Sequence, residues 1–228
     1  MALVIPAPVV PTVPVLGGGE FPVRRIYCVG RNYSEHAREM GGDPEREAPF
    51  FFSKPADAVT PDGTAIPFPT QTRNLHHEIE LVVAIGHGGR DIDGAEALRH
   101  VFGYAVGVDL TRRDLQSEAR AQGRPWDMAK GFDHSAPIGA ITPADPAHPF
   151  EHGEIWLKVN GAARQSGALS DMIWSVPEVI AYLSRYVALA PGDLIFTGTP
   201  AGVGKLEPGD DLLGHVDGLT DLHLHIAH

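Results

Sequence analysis

Cysteine is almost missing from this sequence: Cys28 is the only one in 228 residues. That excludes an intramolecular disulfide and a thiolate-based zinc site, and the expected compartment is a reducing cytoplasm. Basic residues are scarce as well, 18 Lys and Arg against 29 Asp and Glu, for a net charge of -11. Proteins that bind nucleic acid through its backbone neutralise phosphates with clustered cations, so nucleic acid is not an expected partner. The acidic balance still permits an anionic substrate, because a metal ion and a few local cations can invert the potential inside one cleft. No stretch approaches the roughly 20 apolar residues that span a bilayer, and no membrane association is expected. Met1 to Gly19 is apolar but interrupted by Pro6, Pro8, Pro11 and Pro14 and has no Lys or Arg, so it lacks both regions of a signal peptide. No repeat, low-complexity tract or polar linker divides the middle of the chain. The expected organisation is a proline-rich arm over residues 1–20 followed by one domain over residues 21–228.

The patterning predicts more strands than helices. Arg25 to Val29 reads as a short strand, and Asn32 with Glu35 as the capping pair of a short helix that Gly41-Gly42 ends. Pro49 to Pro69 is too rich in proline and glycine for a helix. Ile79 to Ile85 and Gly103 to Val108 are apolar runs of strand length, the first suited to burial on both faces. Thr111 with Asp114 suggests a capping box for a helix reaching about Gln122 and ending at Gly123. Asn160-Gly161 lies between Ile155–Val159 and Ala162–Gln165, a hairpin signal because both turn residues tolerate positive φ. Ser175 with Glu178 caps a helix whose Val179, Ile180, Leu183 and Val187 recur at helical spacing. Leu194 to Thr197, Leu212 to Val216 and a segment after Gly218 complete the strands. Without regular alternation of strand and helix, the expected class is α+β with mixed sheets.

The chemistry centres on His76-His77-Glu78-Ile79-Glu80, just before the run Leu81 to Ile85. In a strand His76, Glu78 and Glu80 point one way and His77, Ile79 and Leu81 the other. Two carboxylates side by side at the start of a buried strand repel each other and lose hydration, so a compensating cation is expected. Asp109, at the end of the run Tyr104 to Val108, is the third carboxylate. Oxygen donors without thiolate favour Mg²⁺, Mn²⁺ or Ca²⁺, and three carboxylates leave positions for water and substrate. The same pattern also fits a solvated strand face with Asp109 as a turn residue.

Three further groups are candidates. His36 and Glu39, neighbours on one helix face, could form a water-activating pair or be plain surface residues. Lys130, among Trp126-Asp-Met-Ala-Lys130-Gly131-Phe132, could face a substrate oxygen or a developing enolate, or be an exposed lysine. Thr197-Gly198-Thr199-Pro200-Ala201-Gly202-Val203-Gly204 could offer donors to a carboxylate or be a tight loop. Other motifs fail: Gly204-Lys205 lacks the first glycine and the hydroxyl residue of a P-loop, Asp91-Ile-Asp93-Gly94 has its glycine too early for a calcium loop, and His76-His77 lacks the spacing of a zinc helix.

Val29-Gly-Arg-Asn-Tyr33, His36 with Glu39, Lys54-Pro55, Arg73-Asn-Leu-His-His-Glu78-Ile-Glu80, Asp109-Leu-Thr-Arg-Arg-Asp114, Lys130 and Thr197 to Gly204 occur in one order. In this order, from about Phe21 onward, the sequence resembles the fumarylacetoacetate hydrolase family, and within it the fumarylpyruvate hydrolases of gentisate degradation. The resemblance implies a mixed β-roll or layered-sheet core with a few short helices, a homodimer, and one Mg²⁺ or Mn²⁺ per chain held by Glu78, Glu80 and Asp109, with no organic cofactor. It implies catalytic roles for His36, Glu39 and Lys130, and substrate-binding roles for Arg31, Asn32, Gln116 and Thr199. The implied substrate is an acylpyruvate: His36, assisted by Glu39, deprotonates a water that attacks C4, the C3–C4 bond breaks, and the metal and Lys130 stabilise a pyruvate enolate. The same enolate serves oxaloacetate decarboxylation and 2-oxo acid isomerisation. A non-catalytic dicarboxylate- or metal-binding module is the reading from another class. For a distal carboxylate, Arg31, Arg73, Arg112, Arg113 and Arg124 are all candidates.

Overall fold

The computed structural model describes residues 3–33, 47–145 and 150–228. Its centre is the antiparallel pair Ile79–Ile85 and Val101–Val108, in register from Ile79 opposite Val108 to Ala84 opposite Gly103. All seven residues of Ile79–Ile85 are buried, and the period of two divides them between two cores. Ile79, Leu81, Val83 and Ile85 enter the larger core with Ile155, Leu157 and Val216. Val82 and Ala84 enter a second with Ile26, Cys28, Leu194 and Phe196. A strand buried on both faces has no room for alternating polar residues, which explains the continuous apolar run Leu81 to Ile85 after Glu80.

Around this pair the mixed sheet runs in the order Phe50–Lys54, Arg25–Gly30, Asp193–Phe196, Ile79–Ile85, Val101–Val108, Ala136–Ile138 and Val59–Pro61. Asp193–Phe196 is antiparallel to Ile79–Ile85 and parallel to Arg25–Gly30. A five-stranded sheet, Ala162–Ala168, Glu154–Val159, Asp211–Val216, Leu222–Ala227 and Ala65–Pro67, covers the larger core. A small sheet joins Thr111–Arg112, Leu75–His77 and Gly204–Leu206. The α+β class of mixed sheets with few helices is therefore the observed one.

Local signals are realised where their partners are near in sequence. Asn160 and Gly161 take φ of 51° and 76° between the strands of the expected hairpin. The Glu178 carboxylate accepts from the Ser175 amide and hydroxyl, opening the helix Val176–Tyr186. Thr111 and Asp114 do not form the expected capping box. The Thr111 hydroxyl donates to the Asp109 carbonyl, and the Asp114 carboxylate accepts from Thr72 and the Arg73 amide. Tertiary partners outcompete the local cap, and the helix runs over Arg113–Ala121.

The arm is in part docked. Thr12–Pro14 pairs with Glu20–Pro22, Val13 is buried, and Leu16 and Pro14 exchange backbone hydrogen bonds with Ile141. The boundary expected after residue 20 thus falls inside this hairpin. Among the described residues, no helix is long and apolar enough to cross a membrane. The expected helix bearing His36 and Glu39 lies outside the described residues.

Candidate metal centre and active-site cavity

The hairpin register brings the three carboxylates together. Asp109 follows the last pair, Ile79 opposite Val108, and its amide donates to the Glu78 carbonyl at 2.8 Å. Glu78 and Asp109 therefore stand opposite each other, and Glu80 lies one pleat further along the same face, opposite Gly107. Chain direction changes sheets at Glu78, between Leu75–His77 and Ile79–Ile85. One carboxylate oxygen from each of Glu78, Glu80 and Asp109 lies within 4.8 Å of the others. Their exposures of 5%, 2% and 0% remove the alternative of a solvated strand face.

Cations surround this acidic group. Lys130, on the short helix Asp127–Lys130, places Nζ 2.8 Å from Glu78 Oε2, 2.6 Å from Asp109 Oδ2 and 2.7 Å from Thr111 Oγ1. At 2% exposure it is no surface lysine. Burial alone would pull its pKa down, but Asp109 and Glu78 outweigh burial and raise it, so the ammonium stays charged. Arg113 donates to Glu78 Oε1 and to Gln116 Oε1. Burial, then the charge of Arg113, holds the neighbouring His76 down at about 4.

Lys54 was not singled out as a site residue by the pattern, yet its Nζ lies 2.8 Å from Asp109 Oδ1 and donates to the Leu110 and Lys130 carbonyls. The available signal was a lysine ending the run Phe50-Phe-Phe-Ser53, a strand that would otherwise have no reason to bury a charge.

Does this group fit a metal? Three carboxylates against Lys54, Lys130 and Arg113 balance to zero net charge. Even so, burial, followed by Asp109 and Glu78, raises the Glu80 carboxyl well above its ordinary range, against the opposing Gly198 amide at 2.8 Å. Asp109 Oδ1 is buried and, although close to Lys54, accepts no hydrogen bond of proper angle. Three buried carboxylates gathered within reach of one ion, one of them with an oxygen that accepts no hydrogen bond and one with its ionised form disfavoured by its neighbours, fit a hard divalent ion bound by oxygen.

Glu78 and Glu80 form one wall of a narrow cavity of about 30 Å³, lined also by Arg31, Phe52, Gln116, Trp126, Lys130 and Thr199. Of the expected substrate-binding residues, Arg31, Gln116 and Thr199 are therefore at the cavity. The Asn32 side chain is instead spent on backbone: it donates to the Trp174 and Thr197 carbonyls and accepts from the Trp174 amide.

A family model described as the fumarylacetoacetate (FAA) hydrolase C-terminal domain matches residues 25–227. The chain belongs to the fumarylacetoacetate hydrolase family. A family structure, that of fumarylpyruvate hydrolase from Pseudomonas aeruginosa in complex with Mn²⁺ and pyruvate, has a TM-score of 0.95 at 52% identity, covering 99% of both chains. The mitochondrial oxaloacetate tautomerase of Mus musculus is 43% identical over 204 residues, 89% of this chain and 91% of that one. The mitochondrial oxaloacetate decarboxylase of Dictyostelium discoideum is 42% identical over 205 residues, 89% of this chain and 94% of that one. Family members with these names are enzymes whose reactions run on 2-oxo acids.

Proposed function

We propose that this chain is a C–C hydrolase of acylpyruvates, converting 3-fumarylpyruvate to fumarate and pyruvate with Mg²⁺ or Mn²⁺ at Glu78, Glu80 and Asp109. The observation that carries this reading is the buried carboxylate group opening on a cavity that also presents Lys130. The likeness across the whole chain to a fumarylpyruvate hydrolase holding Mn²⁺ and pyruvate supports it. When bound, the ion supplies an electrophile for the oxygens of a 2-oxo acid.

The chain's own residues supply the rest. Lys130 puts a fixed positive charge at the cavity wall, where it favours an enolate over the neutral ketone, so its contribution grows as charge develops. Burial of the carboxylates, with the half-buried Phe52 beside them, limits how far bulk water screens that charge. His36 with Glu39 would take a proton from the attacking water, a role resting on family resemblance. For the distal fumaryl carboxylate we assign Arg31: it lines the cavity, has φ of 57°, and its guanidinium lies 5.9 Å over the Phe50 ring. Arg113 is committed to Glu78 and Gln116, and Arg112 to Met128 and the Phe132 ring. We read the working enzyme as a cytoplasmic homodimer, on the resemblance and on the single cysteine.

Oxaloacetate tautomerisation or decarboxylation is the second reading, favoured by the curated relatives at 42–43% identity. These reactions share the enolate but need no attacking water. Purified protein with Mg²⁺ or Mn²⁺ should consume fumarylpyruvate, followed by loss of its enol absorbance, and release fumarate and pyruvate. His36→Ala should lower hydrolysis by about a hundredfold or more while sparing oxaloacetate turnover. Turnover of oxaloacetate alone would establish the second reading, and inert behaviour toward both would leave a dicarboxylate- or metal-binding module.

A further inference from the structure

Gln165 is the one fully buried polar residue of Ala162–Ala168, a strand whose other residues are exposed or half-buried. It pairs with the buried Leu157 and so faces inward, next to a register shift between Leu157 and Lys158. Its Oε1 accepts from the Ile79 amide at 3.1 Å and lies 2.8 Å from His77 Nδ1. Its Nε2 donates to the Pro200 carbonyl at 2.9 Å and to Thr199 Oγ1 at 2.8 Å. The residue thus ties His77 and Ile79, which flank Glu78, to the loop that bears Thr199 at the cavity, without itself lining the cavity.

The orientation of this amide is fixed at both ends by backbone groups that cannot change role. An amide N–H only donates, so Ile79 requires an oxygen facing it, and a carbonyl only accepts, so Pro200 requires a nitrogen. Two consequences follow along the chain of bonds. His77 must carry a proton on Nδ1 to donate to the same oxygen. Thr199 must accept from Gln165 Nε2, which leaves its own hydroxyl hydrogen for another acceptor. No other hydrogen-bond partner of that hydroxyl is found among the described residues, and Thr199 lines the cavity.

We propose that Gln165 is a positioning residue that makes the Thr199 hydroxyl an obligate donor to an anionic oxygen of the 2-oxo acid bound in the cavity. Without Gln165 the hydroxyl can turn its hydrogen toward the Pro200 side and present a lone pair to the anion. With Gln165 that orientation is closed, and the donor is set before the ligand arrives. This rests on the proposed function only for the identity of the anion.

The test is a double-mutant cycle read as pyruvate affinity, by titration calorimetry of the Mn²⁺-loaded full chain, with melting curves to verify folding. Thr199→Val should raise the pyruvate Kd about tenfold or more, as expected for losing a hydrogen bond to a charged group, whereas Thr199→Ser should retain binding. Gln165→Met, of similar volume, uncharged and unable to donate, should weaken binding by a similar factor in the Thr199 chain and add nothing in the Thr199→Val chain. Should Gln165→Met fail to fold, Gln165→Leu enters the same cycle with the same non-additivity expected. Equal weakening in both backgrounds would show a merely structural role and overturn the proposal, as would a wild-type chain that does not bind pyruvate. Pyruvate binding and the coupling without cleavage of fumarylpyruvate would remove the proposed reaction and leave this inference standing.

Discussion

Lys54 Nζ lies 2.8 Å from Asp109 Oδ1, with both side chains completely buried. Lys130 lies 2.6 Å from the other oxygen of the same carboxylate. One acidic side chain is thus held between two ammonium groups from separate elements, the strand Phe50–Lys54 and the helix Asp127–Lys130. Removing either cation leaves a buried charge short of its partner, which costs far more than the pair contributes when intact.

Lys54→Met should therefore destabilise the fold by about 3 kcal/mol or more, measured by urea denaturation. The apolar stem is kept, so the loss would report the charge. A change within about 0.5 kcal/mol, the range of a surface substitution, would mean that the pair carries no such weight.

Mn²⁺ should raise the melting temperature of the wild-type chain, since an ion that binds only the folded state stabilises it by about 2.7 kcal/mol at a hundred times its Kd. Glu80→Gln should abolish most of that increment while leaving the metal-free protein folded, because it removes one of three clustered carboxylates. An undiminished Mn²⁺ increment in this variant would take Glu80 out of the ligand set.

Gly198→Ala should mimic part of that loss from outside the carboxylates. Gly198 has φ of 101°, a Cβ there would fall 2.7 Å from Asn32 Cβ, and its amide donates to Glu80 Oε2. The strained loop must move, Glu80 loses its donor, and Mn²⁺ affinity measured by titration should fall. Unchanged affinity with unchanged melting would show that this close approach is dispensable.

Away from the site, His215 sits between Asp221 at 2.6 Å and Asp217 at 3.1 Å. Burial alone would lower its pKa, but the hydrogen bonds to Asp221 and Asp217 prevail and raise it above the ordinary 6.5. The folded state then holds the proton more tightly than the unfolded one. The stabilisation is fully present below 6.5 and is lost as pH rises through the raised value. His215→Gln should flatten the fall in stability with pH over that interval, with Mn²⁺ affinity unaffected. A parallel pH profile in the variant would remove His215 as its source.

Several elements and the donor chemistry of the site could be read directly from the sequence because their causes are local. Ile79 to Ile85 is a strand buried on both faces by its composition, and Asn160-Gly161 and Ser175 with Glu178 act through backbone conformation and neighbours a few residues away. The period of two places Glu78 and Glu80 on one face whatever their partners, and residue type alone indicates a hard cation. Tertiary structure decided what distance in sequence conceals. Register, set by the pairing of Ile79 with Val108, brought Asp109 opposite Glu78. Packing decided that Lys54 and Lys130 are buried and paired, because only a folded interior makes an unpaired carboxylate costly enough to draw in two lysines. Tertiary contacts also overrode a local signal when Thr111 and Asp114 found better partners than a helix end. Gln165, ordinary in sequence, acquired its place because pairing with buried Leu157 turned it inward, toward an amide and a carbonyl that fix its orientation.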